Sequence, residues 1–502
     1  MVLLRFSILV VVVVAGVFCG DEKEFRIRTN RIWEQEELRE DQKEFSGRWQ
    51  DLETTPYDNI VHFDGEKHLA NVKQLTFGGM NAEGYFSFDN SKLTLQATGY
   101  GTDCDQIYEL DLNIDPKLQT LRRISTGLGG TTCSYFYKEV DNNHRLYAGN
   151  WWNVKIDDKT DVSKTCPQKK CANPQGDELK QLCNTSYTWD IFPDYDIFKV
   201  DRFGNFVQRL TDSPGYDAEG VVSPDGTKIA FTSIRSGDLE LYVMNTDGTN
   251  LVQVTNELGY DGGSFFTPDG KRLIFRASRP KTDAEIAKYK KLLSYDLVEP
   301  IAMELFIVDI DGKNMRQITH LGEANWAPYM LNDNKRIVFS SNYDTAANGF
   351  GAFSLYMINV DGTGLEQITF GKNQFNSFAM QSYDGKKLVW GSSRNGTMYE
   401  LNLFIADWID NPDATTNPVV TTPVVTSTPN GPETTTNSYS SNSLPSVATS
   451  TPKGQETTTN SYSSHSLPSV ATSTPKGQET TTKSSTSLSF LSMFSLILIA
   501  CF

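Results

Sequence analysis

One short phrase, an apolar residue followed by Thr or Ser at the end of a strand-like run, occurs six times within residues 59–410. It stands as QLT at Gln74 to Thr76, RIS at Arg123 to Ser125, RLT at Arg209 to Thr211, QVT at Gln253 to Thr255, and QIT at both Gln317 to Thr319 and Gln367 to Thr369. Each copy is followed by a polar loop and then an apolar hairpin. The hairpin turns read FDNSK from Phe88, VDNNH from Val140, SPDGTK from Ser223, TPDGKR from Thr267, LNDNKR from Leu331 and SYDGKK from Ser382. A third strand comes next, ending in an Asp-Gly turn in LYVMNTDG from Leu241, LFIVDIDG from Leu305 and LYMINVDG from Leu355. Apolar residues alternate at period two and are punctuated by residues that tolerate positive φ, which is the signature of strands joined by tight turns. Four short strands repeated every forty to sixty-five residues, once insertions are set aside, predict the blades of a β-propeller.

The order of the strands also predicts how the ring closes. The first copy, Val72 to Thr76, has no complete hairpin before it, and the last hairpin and third strand, Phe378 to Trp408, have no copy after them. Pairing the two pieces completes a sixth blade and removes the exposed sheet edge of an open ring. The expected class is therefore all-β: a six-bladed propeller with four-stranded antiparallel blades over residues 59–410. NIVHFDG from Asn59 reads as an extra edge strand. Two insertions interrupt the pattern: Asn150 to Asp190 on the second blade, and the amphipathic KTDAEIAKYKKLLSYDL of Lys281 to Leu297 on the fourth.

Outside the propeller the chain changes character. Residues 1–20 carry Arg5 and the run ILVVVVV, a pattern expected of a secretory signal because the apolar core is too short to span a bilayer. Residues 21–58 are charged and helix-prone, with Trp33 and Trp49 as anchors onto the body. Residues 411–487 are rich in Ser, Thr and Pro and contain a twenty-three-residue repeat, TPNGPETTTNSYSSNSLPSVATS from Thr428 and its copy from Thr451. With few large apolar side chains this stretch is expected to form a disordered, O-glycosylated stalk. Residues 488–502 are apolar to the last residue, about 22 Å of helix against a hydrocarbon layer of about 30 Å. After the small residues Gly477, Ser484 and Ser485, this tail predicts a GPI-attachment signal and a cell-surface location. A net charge of -16 argues against a nucleic-acid partner.

An exported chain meets oxidising conditions, so its cysteines are expected to pair. Cys19 and Cys501 fall in the two end segments, which leaves five. The expected pairs are Cys104 with Cys133, and two of Cys166, Cys171 and Cys183, with one thiol left over. A zinc knuckle on Cys166 and Cys171 is the competing reading. Asn184 and Asn395 lie in N-glycosylation sequons.

The motifs QIT, SPDGTKIAF and ELYVMNTDG resemble those of TolB-like propellers, which also occur in the N-terminal domain of prolyl oligopeptidase-type peptidases. The resemblance spans roughly Asn71 to Trp408. It implies a six-bladed ring used as a docking platform or gate, which in the peptidases filters substrates for a separate hydrolase domain. No Gly-x-Ser-x-Gly elbow with a following Asp and His occurs after Trp408.

The hairpin turns serve as a ruler for a candidate site. Eight residues before the turn Asp stand Asn81, Asp217, Asp261, Asn325 and Asn376, with Thr131 or Thr132 in the looser second blade. These positions lead into the innermost strands and are expected to ring one channel mouth, with Glu83 and Glu219 two residues further in and Tyr260 beside Asp261. Carboxylates and amides suit a cation such as calcium, a sugar or a basic peptide end. They equally cap their own loops, which any repeat copies from blade to blade. The sequence requires no cofactor. The leading expectation is a non-enzymatic, surface-tethered module that binds a protein or glycan ligand; the alternative is a hydrolase or lyase using the acidic mouth, with or without a metal.

Overall fold

The structure is a computed structural model that describes residues 61–412, apart from 115–120, 158, 346–350 and 397–399. The signal, lead-in, stalk and C-terminal tail expected from the sequence lie outside the described residues, as do Cys19 and Cys501.

Six four-stranded antiparallel sheets form a ring. In each blade the innermost strand follows the polar loop, as in Asp217–Val222 of blade 3, and the short outermost strand carries the repeated phrase, as in Val252–Gln253. The phrase recurs for a physical reason. Its Thr or Ser hydroxyl accepts a hydrogen bond from the backbone of the neighbouring third strand in all six blades: Leu403 to Thr76, Ile107 to Ser125, Ile197 to Thr211, Leu241 to Thr255, Leu305 to Thr319 and Leu355 to Thr369, at 2.8–2.9 Å. The hairpin turns repeat for a similar reason. A Ser or Thr hydroxyl bonds the turn Asp at 2.6 Å in blades 1, 3, 4 and 6, through Ser87, Ser223, Thr267 and Ser382.

The ring closes as the strand order predicts. Leu69–Gln74 pairs with Asn402–Trp408 to make the fourth strand of blade 6. The stretch expected as an extra strand is not one over its described part: Val61 is helical, residues 62–63 are irregular and residues 64–65 form a turn. Arg394 explains why. Its guanidinium is fully buried, donates to Val61 O at 2.7 Å and grips Glu66 through both nitrogens at 2.8 and 3.1 Å, so this segment is bent around a charge pair. The pair fastens the start of the described chain to its last blade.

Both insertions dock on each other. Their helices, α1 (Asp177–Thr185) and α2 (Asp283–Leu293), bury Leu179, Leu292 and Leu297 together. Asp190 and Trp189 of the first insertion pair in antiparallel register with Leu297 and Val298 of the second. Lys291 reaches Glu178 at 2.8 Å and Lys170 reaches Asp296 at 3.0 Å. Two disulfides stiffen the first insertion, Cys104–Cys166 and Cys171–Cys183. The expected Cys104–Cys133 pair is therefore corrected: Cys104 faces the insertion, while Cys133 sits on an innermost strand and remains a buried thiol. The zinc reading falls too, because Cys166 and Cys171 are each committed to a disulfide.

Candidate functional site

The innermost strands build the channel in layers. At the first layer stand the ruler positions, and all are buried: Asp217, Asp261, Asn325 and Asn376 open their strands and Asn81 is the second residue of its own, with Thr131 as the blade 2 counterpart. Their side chains are engaged within the chain. Asn81 donates to Gly78 O and to Leu401 O of the preceding blade, at 2.8 and 3.0 Å. Asn325 does the same to Met303 O at 2.9 Å, Asn376 to Phe353 O at 3.1 Å and Thr131 to Asp105 O at 2.9 Å. Asp217 pairs with Arg235 and Asp261 with Arg279. The Asn and Thr side chains join their blade to the one before, the two Asp–Arg pairs hold within their own blades, and all six positions stand at the start of the innermost strands.

Two residues further in, every innermost strand carries a register shift, as between Ala82 and Tyr85 or Ala218 and Val221. Bulges of this kind re-aim a side chain. At the shift stand Glu83, Cys133, Glu219, Gly263, Ala327 and Phe378, all with φ between 46° and 59°. A non-Gly residue in this region costs on the order of 1 kcal/mol, and five of the six blades accept that cost. Below lies an aromatic plug. Tyr85 of blade 1 meets Phe265 of the opposite blade 4 at 5.2 Å, and Tyr329 joins at 5.3 Å, so the channel is filled along its axis.

The bulge layer is polar on one side. Arg276, from the second strand of blade 4, donates to Glu219 at 2.5 Å and to the Tyr260 hydroxyl at 2.9 Å. Tyr260 in turn donates to Glu219 at 2.8 Å, as does the backbone N–H of Gly263. Gly263 leaves room for this arrangement: a Cβ there would lie 2.0 Å from the Arg276 guanidinium and displace it. Glu83 is 5% exposed, and its Oε2 has no hydrogen-bond partner among the described residues. Burial pushes its carboxyl up to about 7, with the Cys133 thiol and Arg276 opposing and Glu219 adding. Burial also pushes the Cys133 thiol well up, helped by Glu83 and Glu219, which keeps it protonated and poorly nucleophilic.

Above this layer is a cavity of about 550 Å³. Cys133, Glu219 and Tyr260 line it from the propeller, and Pro167, Lys169 and Trp189 from the first insertion. Asp105 also lines it, with Gln96 donating to Oδ2 at 3.2 Å and the buried Oδ1 without a hydrogen-bond partner among the described residues. Burial raises the Asp105 carboxyl strongly, Lys169 opposing and Glu83 adding. Among the described residues no group of three or more His, Cys, Asp or Glu is placed to hold a metal ion. His320, the imidazole nearest the predicted ring in sequence terms, is exposed.

Glu83, Glu219 and Tyr260 were reachable by counting from the turns. Arg276, Cys133, Asp105 and the insertion residues were not. Arg276 alone left a trace, as a cation inside the apolar strand RLIFRAS. Asn184 is exposed on α1, and Asn395 is exposed with its amide donating to Gln74 at 2.9 Å.

No protein-family model and no curated protein matches the chain. Solved structures do. A TolB-type protein of Agrobacterium tumefaciens is 16% identical over 67% of this chain and 97% of its own, with a TM-score of 0.41. An oligogalacturonate lyase in complex with manganese is 14% identical over 68% and 94%, at 0.38. TolB of Acinetobacter baumannii is 18% identical over 46% and 54%, at 0.35. The described residues form a six-bladed β-propeller similar in fold to these structures, with no hydrolase domain among them.

Proposed function

We propose that the protein is an exported, surface-tethered binding module whose ligand site is the cavity between the channel mouth and the docked insertions. The observation that carries this reading is the cavity itself. At about 550 Å³ it has the size of a small-ligand site, and it joins aromatic walls to a few convergent polar groups. The ligand is a small molecule or the end of a protein or glycan chain. Two disulfides support export, and the signal and tail of the sequence support a GPI tether. Purified full-length protein is to be tested on arrays of glycans and of immobilised peptides. Binding that disappears in Ala172→Trp, which fills the cavity from its roof, supports the site; hits that all survive the substitution overturn it. Release from intact cells by a phosphatidylinositol-specific phospholipase tests the tether.

One feature favours an enzymatic second reading. Burial pushes the carboxyl of Glu83, which stands behind the cavity wall, up to about 7, the range a general acid-base needs. Degradation of a bound glycan that Glu83→Gln abolishes without loss of binding would replace the first reading with this one.

A further inference from the structure

The charges around the cavity do not balance. Asp103 and Lys164 pair at the exposed rim. Lining it further in remain Asp105, Asp190 and Glu219 against Lys169, an excess of two carboxyls, while Glu83 and Arg276 oppose one another in the layer behind the wall. Glu219 is satisfied by Arg276 and Tyr260, and Asp190 accepts from the Lys170 backbone at 2.7 Å. What is left over at the wall is Oδ1 of the lining residue Asp105; the Glu83 carboxyl stands behind the wall, against the thiol of the lining residue Cys133. The Asp105 oxygen is a buried acceptor awaiting a donor, an arrangement that costs stability unless a partner arrives.

The walls are aromatic: Trp189, Phe192, Tyr195, Tyr216 and Tyr260. Such faces attract cations. The chain already uses them this way, because the Arg276 guanidinium stands 5.1 Å from the Trp189 ring and 5.5 Å from the Tyr260 ring. A neutral sugar would supply donors but would leave the excess charge in place. An anion would add to it.

We propose that the cavity binds a compact organic cation, an ammonium group carried on an apolar or aromatic body. The ammonium is received by Asp105, with the Glu83 carboxyl behind the wall adding negative charge, and the body packs against the aromatic wall. This rests on the reading of the cavity as the ligand site. Empty, the molecule lessens the excess by holding protons: burial raises both carboxyls, Asp105 against Lys169 and Gln96 with Glu83 and Tyr195 nearby, and Glu83 against Cys133 and Arg276 with Glu219 and Tyr85 nearby. Binding a cation displaces those protons to the buffer. An alkylamine keeps its charge through neutrality, so affinity rises with pH as the carboxyls ionise, by about tenfold per pH unit for each proton displaced below its titration.

The test is calorimetry of full-length protein with phenethylamine, its neutral analogue phenethyl alcohol and the anion phenylacetate, from roughly pH 6 to pH 8.5 and in two buffers of different ionisation enthalpy. The amine is expected to bind at least about tenfold more tightly than either analogue, more tightly at high pH and with proton release. Asp105→Asn should weaken amine binding by about tenfold or more and reduce the release. Equal affinity for the alcohol or the anion, or an unchanged Asp105→Asn, overturns the cation. If another ligand binds and is lost in Ala172→Trp while the amine fails, the ligand class is wrong and the cavity stands. If nothing responds to Ala172→Trp, the site itself is wrong.

Discussion

Two layers of the channel lie two residues apart on the same six strands and behave in opposite ways. The outer layer holds Asn or Asp in five blades and Thr in the sixth, and its side chains bond to the preceding blade or to an Arg. The bulge layer shares one backbone conformation in all six blades yet carries Glu, Cys, Glu, Gly, Ala and Phe. The chemistry that repeats is scaffold, because every blade must solve the same problem of joining its neighbour. The chemistry that varies is where a site can be built, because nothing in the ring requires it to be alike.

The largest effect is expected at Arg394, which joins the outer-layer Asn376 at 3.1 Å to the buried Glu66. Arg394→Met strands Glu66 without its cation and should lower unfolding stability by about 3–5 kcal/mol, read by chemical denaturation. A loss below about 1 kcal/mol would show that the outer layer is not scaffold there.

Next is the pH response of Glu83. Its folded value, about 7, is raised above the ordinary 4.5, so the folded state holds the proton longer and stability falls as pH rises between those values. The change amounts to about 3 kcal/mol, from roughly 1.4 kcal/mol per unit. Glu83→Gln should flatten this part of the stability curve without weakening the fold at pH 7. An unaltered slope would place the titration elsewhere.

Asn325→Ala removes an amide that serves Met303 O and Gly322 O and accepts from Ser341. Leaving those groups unpaired should cost about 1–3 kcal/mol with cavity binding intact. The smallest effect belongs to the bulge layer. Ala327→Gly relaxes a φ of 46° and should change stability by less than about 1 kcal/mol, in either direction. A large loss there would erase the contrast between the layers.

Much of the fold was legible because it is local. Period-two alternation, Asp-Gly turns and the hydroxyl that closes each outer strand act within a few tens of residues, so blade number and ring closure stand in the sequence itself. The stretch from Asn59 misled because its apolar residues answer to Arg394, more than three hundred positions away. The ruler from turn to inner strand found Asn81, Asp217, Asp261, Asn325 and Asn376 for the same local reason.

The site was less legible because it is assembled across the ring axis. Glu83, Cys133, Glu219 and Arg276 belong to four different blades, and although the first three share the bulge position, Arg276 reaches them from a second strand that no count from the turns singles out. Cys104 meets Cys166 rather than Cys133 because the insertion folds over the mouth, which depends on Trp189 and Asp190 finding Val298 and Leu297. The sequence by itself determined a six-bladed ring, its closure and the scaffold layer, since hydrogen-bond patterns of strands and turns are set by near neighbours. Only the tertiary structure decided the disulfides, the roof and the charged recess beneath it, since those depend on which distant side chains the closed ring brings face to face.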